Sequence, residues 1–221
     1  MKAMILAAGR GERMGLLTAN LPKPLLSIGN TTLIEHNLMR LKESGVTEVI
    51  INLHYLSDQI KKHVGDGKKY NLKITYSIEK NLLGTGGGIQ HVLPYFNHQP
   101  FLVLSGDIWT DYPLKNLINK NVSAAHLVLV NNPLFNLSGD YGLSKSNILN
   151  FDSPKLTYAS FGILHPDLFC NQKTGAFGLT DVLNPAISNQ QITGEHYHGT
   201  WFNIGTAQEL QSLNDFLLLP S

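Results

Sequence analysis

The 221-residue chain predicts an α/β fold: a mainly parallel sheet with helices on both faces, elaborated by antiparallel strands in its second half. Three observations carry that prediction. Short apolar runs rich in β-formers alternate with helix-period patterns as far as Leu104, the order that βαβ units and a parallel sheet require. The run Phe101-Leu102-Val103-Leu104 is apolar throughout, as a strand covered on both faces must be. From residue 125 onward, strand-like pieces follow one another with turns and few helices between them. The arrangement is Rossmann-like in its first half and mixed in its second.

Ala3 to Ala8 is the first strand. After a Gly- and Pro-rich loop, Leu33, Ile34, Leu38 and Leu41 recur at helical spacing, with Thr32 as N-cap and Gly45 as stop. Val49-Ile50-Ile51 is the second strand, and Ser57-Asp58 opens a short helix through Ile60 and Val64. Leu72 to Ser77 reads as a strand, Gly87 to Leu93 as a helix, and Phe101 to Leu104 as the buried strand that ends at Ser105-Gly106-Asp107. His126 to Val130, Leu143, Ile148 to Phe151 and Leu156 to Leu164 supply the later strands. Helical patterns return at Leu179 to Ile187 and at Gln208 to Leu219, where Leu210, Leu213, Phe216 and Leu217 share a face. With no repeat or linker in the pattern, and ~150 residues per domain as a guide, one domain over residues 1–221 is expected.

Composition narrows the class. An apolar fraction of 43% with 15% charged residues is that of a globular chain, not a disordered one. Lys and Arg number 17 against 16 Asp and Glu, a formal charge of +1. No global field exists to hold nucleic acid or an acidic membrane surface, so an anion must be met by a local site. The one cysteine, Cys170, cannot form an internal disulfide and is expected to be a buried small hydrophobe. No apolar run reaches the ~18 residues that span a bilayer, and Met1 to Gly9 lacks the apolar core of a signal peptide. A soluble, cytoplasmic protein is expected.

The most informative stretch is Leu6-Ala7-Ala8-Gly9-Arg10-Gly11-Glu12-Arg13-Met14-Gly15, followed by Thr18 and Pro22-Lys23-Pro24. Glycines after a strand free backbone N–H groups to approach an anion, while Arg and Lys supply charge for phosphate oxygens. Gly-Lys-Ser/Thr is missing, so this is not a Walker A loop, and the Gly-x-Gly-x-x-x-Gly spacing does not match the dinucleotide fingerprint. Pro22 and Pro24 fix the backbone on either side of Lys23 and aim its ammonium.

The whole string resembles the signature of the sugar-1-phosphate nucleotidyltransferases that make nucleotide sugars. In such enzymes the glycine loop wraps the nucleoside triphosphate. The resemblance assigns Ala7, Ala8, Gly9 and Gly11 to that loop, and gives Arg13 and Lys23 the phosphates and the catalytic role. It also matches Glu79 and Leu83-Gly84-Thr85-Gly86-Gly87-Gly88 to the segment that faces the base, with Glu79, Gly84 and Thr85 as nucleotide contacts. Gly106-Asp107 resembles the metal-binding aspartate motif, at a strand's carboxyl end where open α/β sheets put ligands. Trp201-Phe202-Asn203-Ile204-Gly205 stands where the family has its second metal motif, with Asn203 in place of the usual Asp. Mg2+ is the implied cofactor, held by Asp107 and Asn203; an amide oxygen ligates Mg2+ but brings no charge. Leu16 replaces a family proline, and the Glu-Lys-Pro segment for the sugar phosphate is missing, leaving Lys155 as the nearest candidate. Asp140, Gly142, Ser160 and Trp201 are the implied sugar-facing residues.

The implied reaction is attack by the phosphate of a sugar 1-phosphate on the α-phosphorus of a nucleoside triphosphate, with release of pyrophosphate. Within the family, Thr85 to Ile89, Gly106 to Tyr112 and Gly194 to Gly199 resemble the branch of uridylyltransferases acting on N-acetylmuramic acid 1-phosphate in cell-wall recycling. The guanylyltransferases acting on mannose 1-phosphate are the alternative branch. Two readings of other classes stand beside these: a GT-A-like glycosyltransferase, and a non-catalytic nucleotide-sugar binding protein in which Asn203 marks a lost metal site. His54, His126 and His165 read as structural or exposed, and His196 with His198 lacks the third ligand that zinc requires. The sequence leaves the oligomeric state open, a homo-oligomer included.

Overall fold

The computed structural model describes residues 1–219. Its elements follow in the order β1 (Lys2–Leu6), a hairpin of β2 (Ser27–Ile28) and β3 (Thr31–Thr32), α1 (Leu33–Glu43), β4 (Glu48–Leu53), α2 (Ser57–Val64), β5 (Lys73–Ile78), α3 (Gly84–Val92) and β6 (Phe101–Ser105). There follow β7 (Ile108–Thr110), α4 (Lys115–Ile118), β8 (Ala125–Val130), β9 (Tyr141–Leu143), β10 (Leu149–Asn150) and β11 (Lys155–Leu164). The chain then runs through α5 (Thr180–Ser188), β12 (Ile192–Tyr197), β13 (Trp201–Asn203) and α6 (Ala207–Leu217).

β1, β4, β5 and β6 are mutually parallel where they pair, in the order β6-β1-β4-β5. The antiparallel β11 joins β6 to the later strands and also pairs β8 and β9. The chain therefore adopts the expected fold class: a parallel α/β half extended by a mixed one. Successive side chains of a strand point to opposite faces. Ala3 and Ile5 meet α1 and α2 through Ile34, Leu38 and Ile60 on one face. Met4 meets α3 and α5 through Ile89 and Leu183 on the other. A third cluster, Met14, Ile28, Leu33, Trp109 and Leu213, fixes α6 against the small hairpin and β7.

The topology positions the site. From β1 the chain winds outward through β4 to β5, then returns to place β6 on the other side of β1. The loops after β1 and β6 thus diverge, and ligands of open α/β sheets bind in the crevice at such a reversal. Gly106 tightens it: its N–H donates to the Leu6 carbonyl at 2.8 Å, and a Cβ there would stand 2.9 Å from that oxygen.

Two expectations need correction. Helix α3 begins at Gly84, three residues before the predicted start at Gly87, so the glycines lie within it. Their low helix propensity is offset by packing, because a Cβ on Gly86 would enter the Phe177 ring and one on Gly87 the Gly175 carbonyl. Cys170 is exposed, not buried. It follows a short turn, Pro166–Phe169, in which Phe169 takes the interior place.

Candidate functional site

A cleft of about 280 Å³ opens at the reversal. Ala7, Ala8, Gly9 and Gly11 form one wall after β1, and Ser105, Gly106 and Asp107 form another after β6. The glycine loop closes on itself: Gly11, with φ +68°, accepts at its carbonyl from Met14 N–H and from the Thr18 hydroxyl, both at 2.9 Å. Its backbone is thereby held in place.

Lys23 enters from the turn Lys23–Leu25, which starts after Pro22. Its Nζ lies 2.6 Å from Asp107 Oδ2, with both side chains mostly buried in the cleft wall. Asp107 Oδ1 accepts from the Ser105 hydroxyl at 2.6 Å, so the carboxylate is held from two sides. At such a distance and burial, Coulomb attraction is screened far less than on the surface, which keeps the pair in place until a competing anion or cation arrives. Arg13 lines a second cavity of about 350 Å³ with Arg10, Glu12 and Gly205, and the two cavities share Gly11, Lys23 and Leu82. Three cations, Arg10, Arg13 and Lys23, therefore line one continuous cavity.

Asn203 pairs with Ile108 in the β13–β7 ribbon, and the next residue, Ile204, donates its N–H to the Asp107 carbonyl at 2.9 Å. The fold thus brings Asn203 beside Asp107. Among the described residues no group of three His, Cys, Asp or Glu side chains could hold a metal. One carboxylate and one amide suit Mg2+, which binds through one or two protein oxygens plus substrate phosphates, and do not suit an all-protein cage. Asp107, which lines the cleft, has the chemistry for such an ion, and Asn203, close to it along the backbone, is the amide nearest to hand.

Other expected residues fall elsewhere. Gly84 and Thr85 line the cleft, and the Thr85 hydroxyl accepts from Leu179 N–H at 2.8 Å. Glu79, expected at the base, is buried behind the wall. Its Oε1 accepts from Asn52 Nδ2 at 2.7 Å and its Oε2 from Leu83 N–H at 3.0 Å, and it is not among the residues that line the cleft. Asp140 likewise spends both oxygens internally, on Asn136 and on Tyr158 N–H. Gly142 is packed so tightly that a Cβ would strike Asn150 Oδ1 and the Asp152 carbonyl. Both residues are engaged with the strands around β9. Ser160, at φ +63°, sits in the irregularity of β11 between Tyr158 and Gly162, and the Trp201 indole N–H donates to the adjacent Ala159 carbonyl at 2.9 Å. Lys155, at the start of β11, holds its ammonium 5.9 Å from the centre of the Phe151 ring.

Sequence reading missed Asn52, Ser105, Arg10 and Leu82. Asn52 left a signal: it is a polar residue at the carboxyl end of an otherwise apolar strand, which is where a doubly wound sheet recruits its site. His54, His126 and His165 are bonded within the fold. His126 bonds Thr193 at 2.8 Å and His54 bonds the Glu79 carbonyl at 2.9 Å. His165 accepts from Asp167 N–H at 3.2 Å, and the His196 and His198 ring centres are 3.9 Å apart.

A glycine loop at a sheet reversal, with cations converging beside a held carboxylate, defines a protein that binds the phosphates of a nucleotide. The profile of the nucleotidyl transferase family matches residues 2–218, and the chain belongs to that family. It is 39% identical over 222 residues to the N-acetylmuramate alpha-1-phosphate uridylyltransferase of Neisseria meningitidis, covering 96% of both chains. It is 28% identical to the mannose-1-phosphate guanyltransferase of Schizosaccharomyces pombe, covering 95% of this chain and 62% of that one. Among solved structures, a Bacillus anthracis protein in complex with sucrose superposes with a TM-score of 0.88 at 21% identity, covering 100% of this chain and 96% of that one. That likeness confirms the fold.

Proposed function

We propose that this nucleotidyltransferase moves a uridylyl group from UTP to N-acetylmuramic acid 1-phosphate in cell-wall recycling, releasing pyrophosphate. The observation that carries the reaction is the Lys23–Asp107 pair at 2.6 Å inside the crevice between β1 and β6. The choice of sugar and base rests on the 39% identity to the Neisseria uridylyltransferase across nearly the whole of both chains.

The glycine loop from Ala7 to Gly11 offers its backbone to the triphosphate, and the base lies toward Gly84 and Thr85. A phosphate oxygen of the sugar 1-phosphate forms the new bond to the α-phosphorus as the bond to the β-phosphate oxygen breaks; that oxygen leaves on pyrophosphate with the electron pair. No protein nucleophile or base is needed, because the attacking phosphate is already an anion. Lys23 turns its ammonium from Asp107 to the α-phosphate, where charge builds in the transition state, and Arg13 meets the departing pyrophosphate. Positioning and fixed charge of this kind supply most of the rate. A divalent cation held by Asp107 and Asn203 supplies further charge neutralisation and alignment of the phosphates. No helix of the described residues is long and apolar enough to cross a membrane, in keeping with a cytoplasmic place for a reaction that uses nucleoside triphosphates.

The test is pyrophosphate release from UTP, GTP, ATP, CTP and dTTP in Mg2+, each with N-acetylmuramic acid 1-phosphate, mannose 1-phosphate and glucose 1-phosphate. Preference for UTP with the first sugar is expected. Preference for GTP with mannose 1-phosphate replaces this reading by the guanylyltransferase one, and binding without release replaces it by a nucleotide-sugar sensor.

A further inference from the structure

The buried Asn52 stands between two of the segments that line the cleft, the glycine loop after β1 and the turn that opens α3. Its Oδ1 accepts from Ala7 N–H at 3.0 Å, and its Nδ2 donates to Glu79 Oε1 at 2.7 Å. Glu79 Oε2 in turn accepts from Leu83 N–H at 3.0 Å. The direction of every bond is fixed by its ends, because a backbone N–H only donates and a carboxylate only accepts. The chain of bonds therefore runs from the glycine loop after β1 to the turn that opens α3, passing through two side chains that are 2% and 4% exposed. Gly88 lies against its centre: a Cβ there would stand 2.8 Å from Asn52 Nδ2 and 2.8 Å from Glu79 Oε1. The Glu79 backbone is held as well, its carbonyl bonded to His54 Nδ1 at 2.9 Å and its N–H to the Leu53 carbonyl at 2.8 Å.

The geometry points to Asn52 and Glu79 as positioning residues: a brace that sets the distance between the phosphate-facing loop and the base-facing turn, while the base itself is met by the backbone around Leu83 and by Thr85. The inference rests on the nucleotide-binding reading of the cleft. Neither side chain need touch the base for its loss to weaken nucleotide binding. A base seated against a displaced turn loses alignment with phosphates seated on the glycine loop, and buried donors and acceptors left unpaired favour that displacement.

The polarity of the brace supplies its own test. In Asn52→Asp two carboxylates face each other, and in Glu79→Gln one amide N–H meets a donor. In the double variant the bonds are complete again: Ala7 N–H and the amide introduced at position 79 both donate to the new carboxylate, and the oxygen of that amide accepts from Leu83 N–H. The site also keeps its single negative charge. Hydrogen–deuterium exchange of the Ala7 and Leu83 amides in the ligand-free protein reads the brace directly; steady-state kinetics of pyrophosphate release reads its consequence. Each single variant is expected to lose protection at both amides and to raise KM for the nucleotide by about tenfold or more, with a smaller change in kcat. The double variant is expected to recover most of both losses. Losses that add in the double variant overturn the brace. A Glu79→Gln defect that Asn52→Asp fails to relieve, accompanied by a changed base preference, assigns Glu79 to direct base contact instead. A wild-type protein that releases no pyrophosphate refutes the proposed reaction, while the exchange data still decide whether the brace exists.

Discussion

Lys23 and Asp107 face each other at 2.6 Å in a wall that also holds Ser105, so the two charges are fixed before any substrate arrives. Removing the lysine leaves Asp107 with one partner and leaves the developing phosphate charge without its cation. Lys23→Ala is expected to lower kcat by about 10²- to 10³-fold, the range for loss of one preorganised charge or donor, with the fold retained and the melting temperature lowered, because Asp107 is left largely buried without its counter-charge. An unchanged kcat contradicts the role. Asn203 pairs in the β13–β7 ribbon with Ile108, the residue after Asp107. Asn203→Asp adds a charge next to the candidate cation position and is expected to lower the Mg2+ concentration at half-maximal rate; a Mg2+ titration checks this, and an unaltered midpoint removes Asn203 from the metal's surroundings. At this scale the sequence told much. Lys23 between two prolines and Asp107 at the end of an apolar run are local patterns. The internal bonding of Glu79 and Asp140 is not, because it depends on residues 18 to 27 positions away.

Helix α1 illustrates what an element owes to its ends. Thr32 accepts from Glu35 N–H, and Glu35 reaches back to the Thr32 N–H, forming a complete capping box. Thr32→Ala is expected to cost about 1 kcal/mol of stability by chemical denaturation, with an unchanged m value; no loss at all contradicts the cap's contribution. This boundary was legible because Thr32 stands immediately before the apolar period that begins at Leu33. The start of α3 was not. Gly84 and Gly86 fell outside the helix read from Gly87 onward, and only Phe177, about ninety residues further on, explains why they belong to it. The strands β7 and β13 also escaped sequence reading, since each has three residues and is defined by the other.

Across the whole molecule, the mixed half is tied together by Glu195 on β12. Its carboxylate faces His126 of β8 at 3.5 Å and Lys120 at 2.9 Å, and it accepts from the Tyr112 hydroxyl. Contacts with His126, Tyr112 and Lys120 hold its pKa at about 2, against an ordinary 4.5, despite the opposing effect of burial. A carboxyl that binds its proton more weakly in the folded state adds stability above its unfolded pKa and loses it as pH falls toward the folded one. Melting temperature is therefore expected to fall between pH 4.5 and pH 2, with a shallower fall in Glu195→Gln; identical acid limbs refute the assignment. The parallel half was readable from alternation of strand and helix, and its site from the loops at the reversal. The order of the antiparallel strands was not readable, because pairings such as β11 with β6 join residues far apart in sequence and no local pattern records them. The most direct test is a crystal structure with a non-hydrolysable UTP analogue and Mg2+. The account predicts the triphosphate along the Ala7–Gly11 loop, its α-phosphate contacting Lys23 and its uracil beside Gly84 and Thr85. A nucleotide bound elsewhere, with the Lys23–Asp107 pair undisturbed, would contradict it.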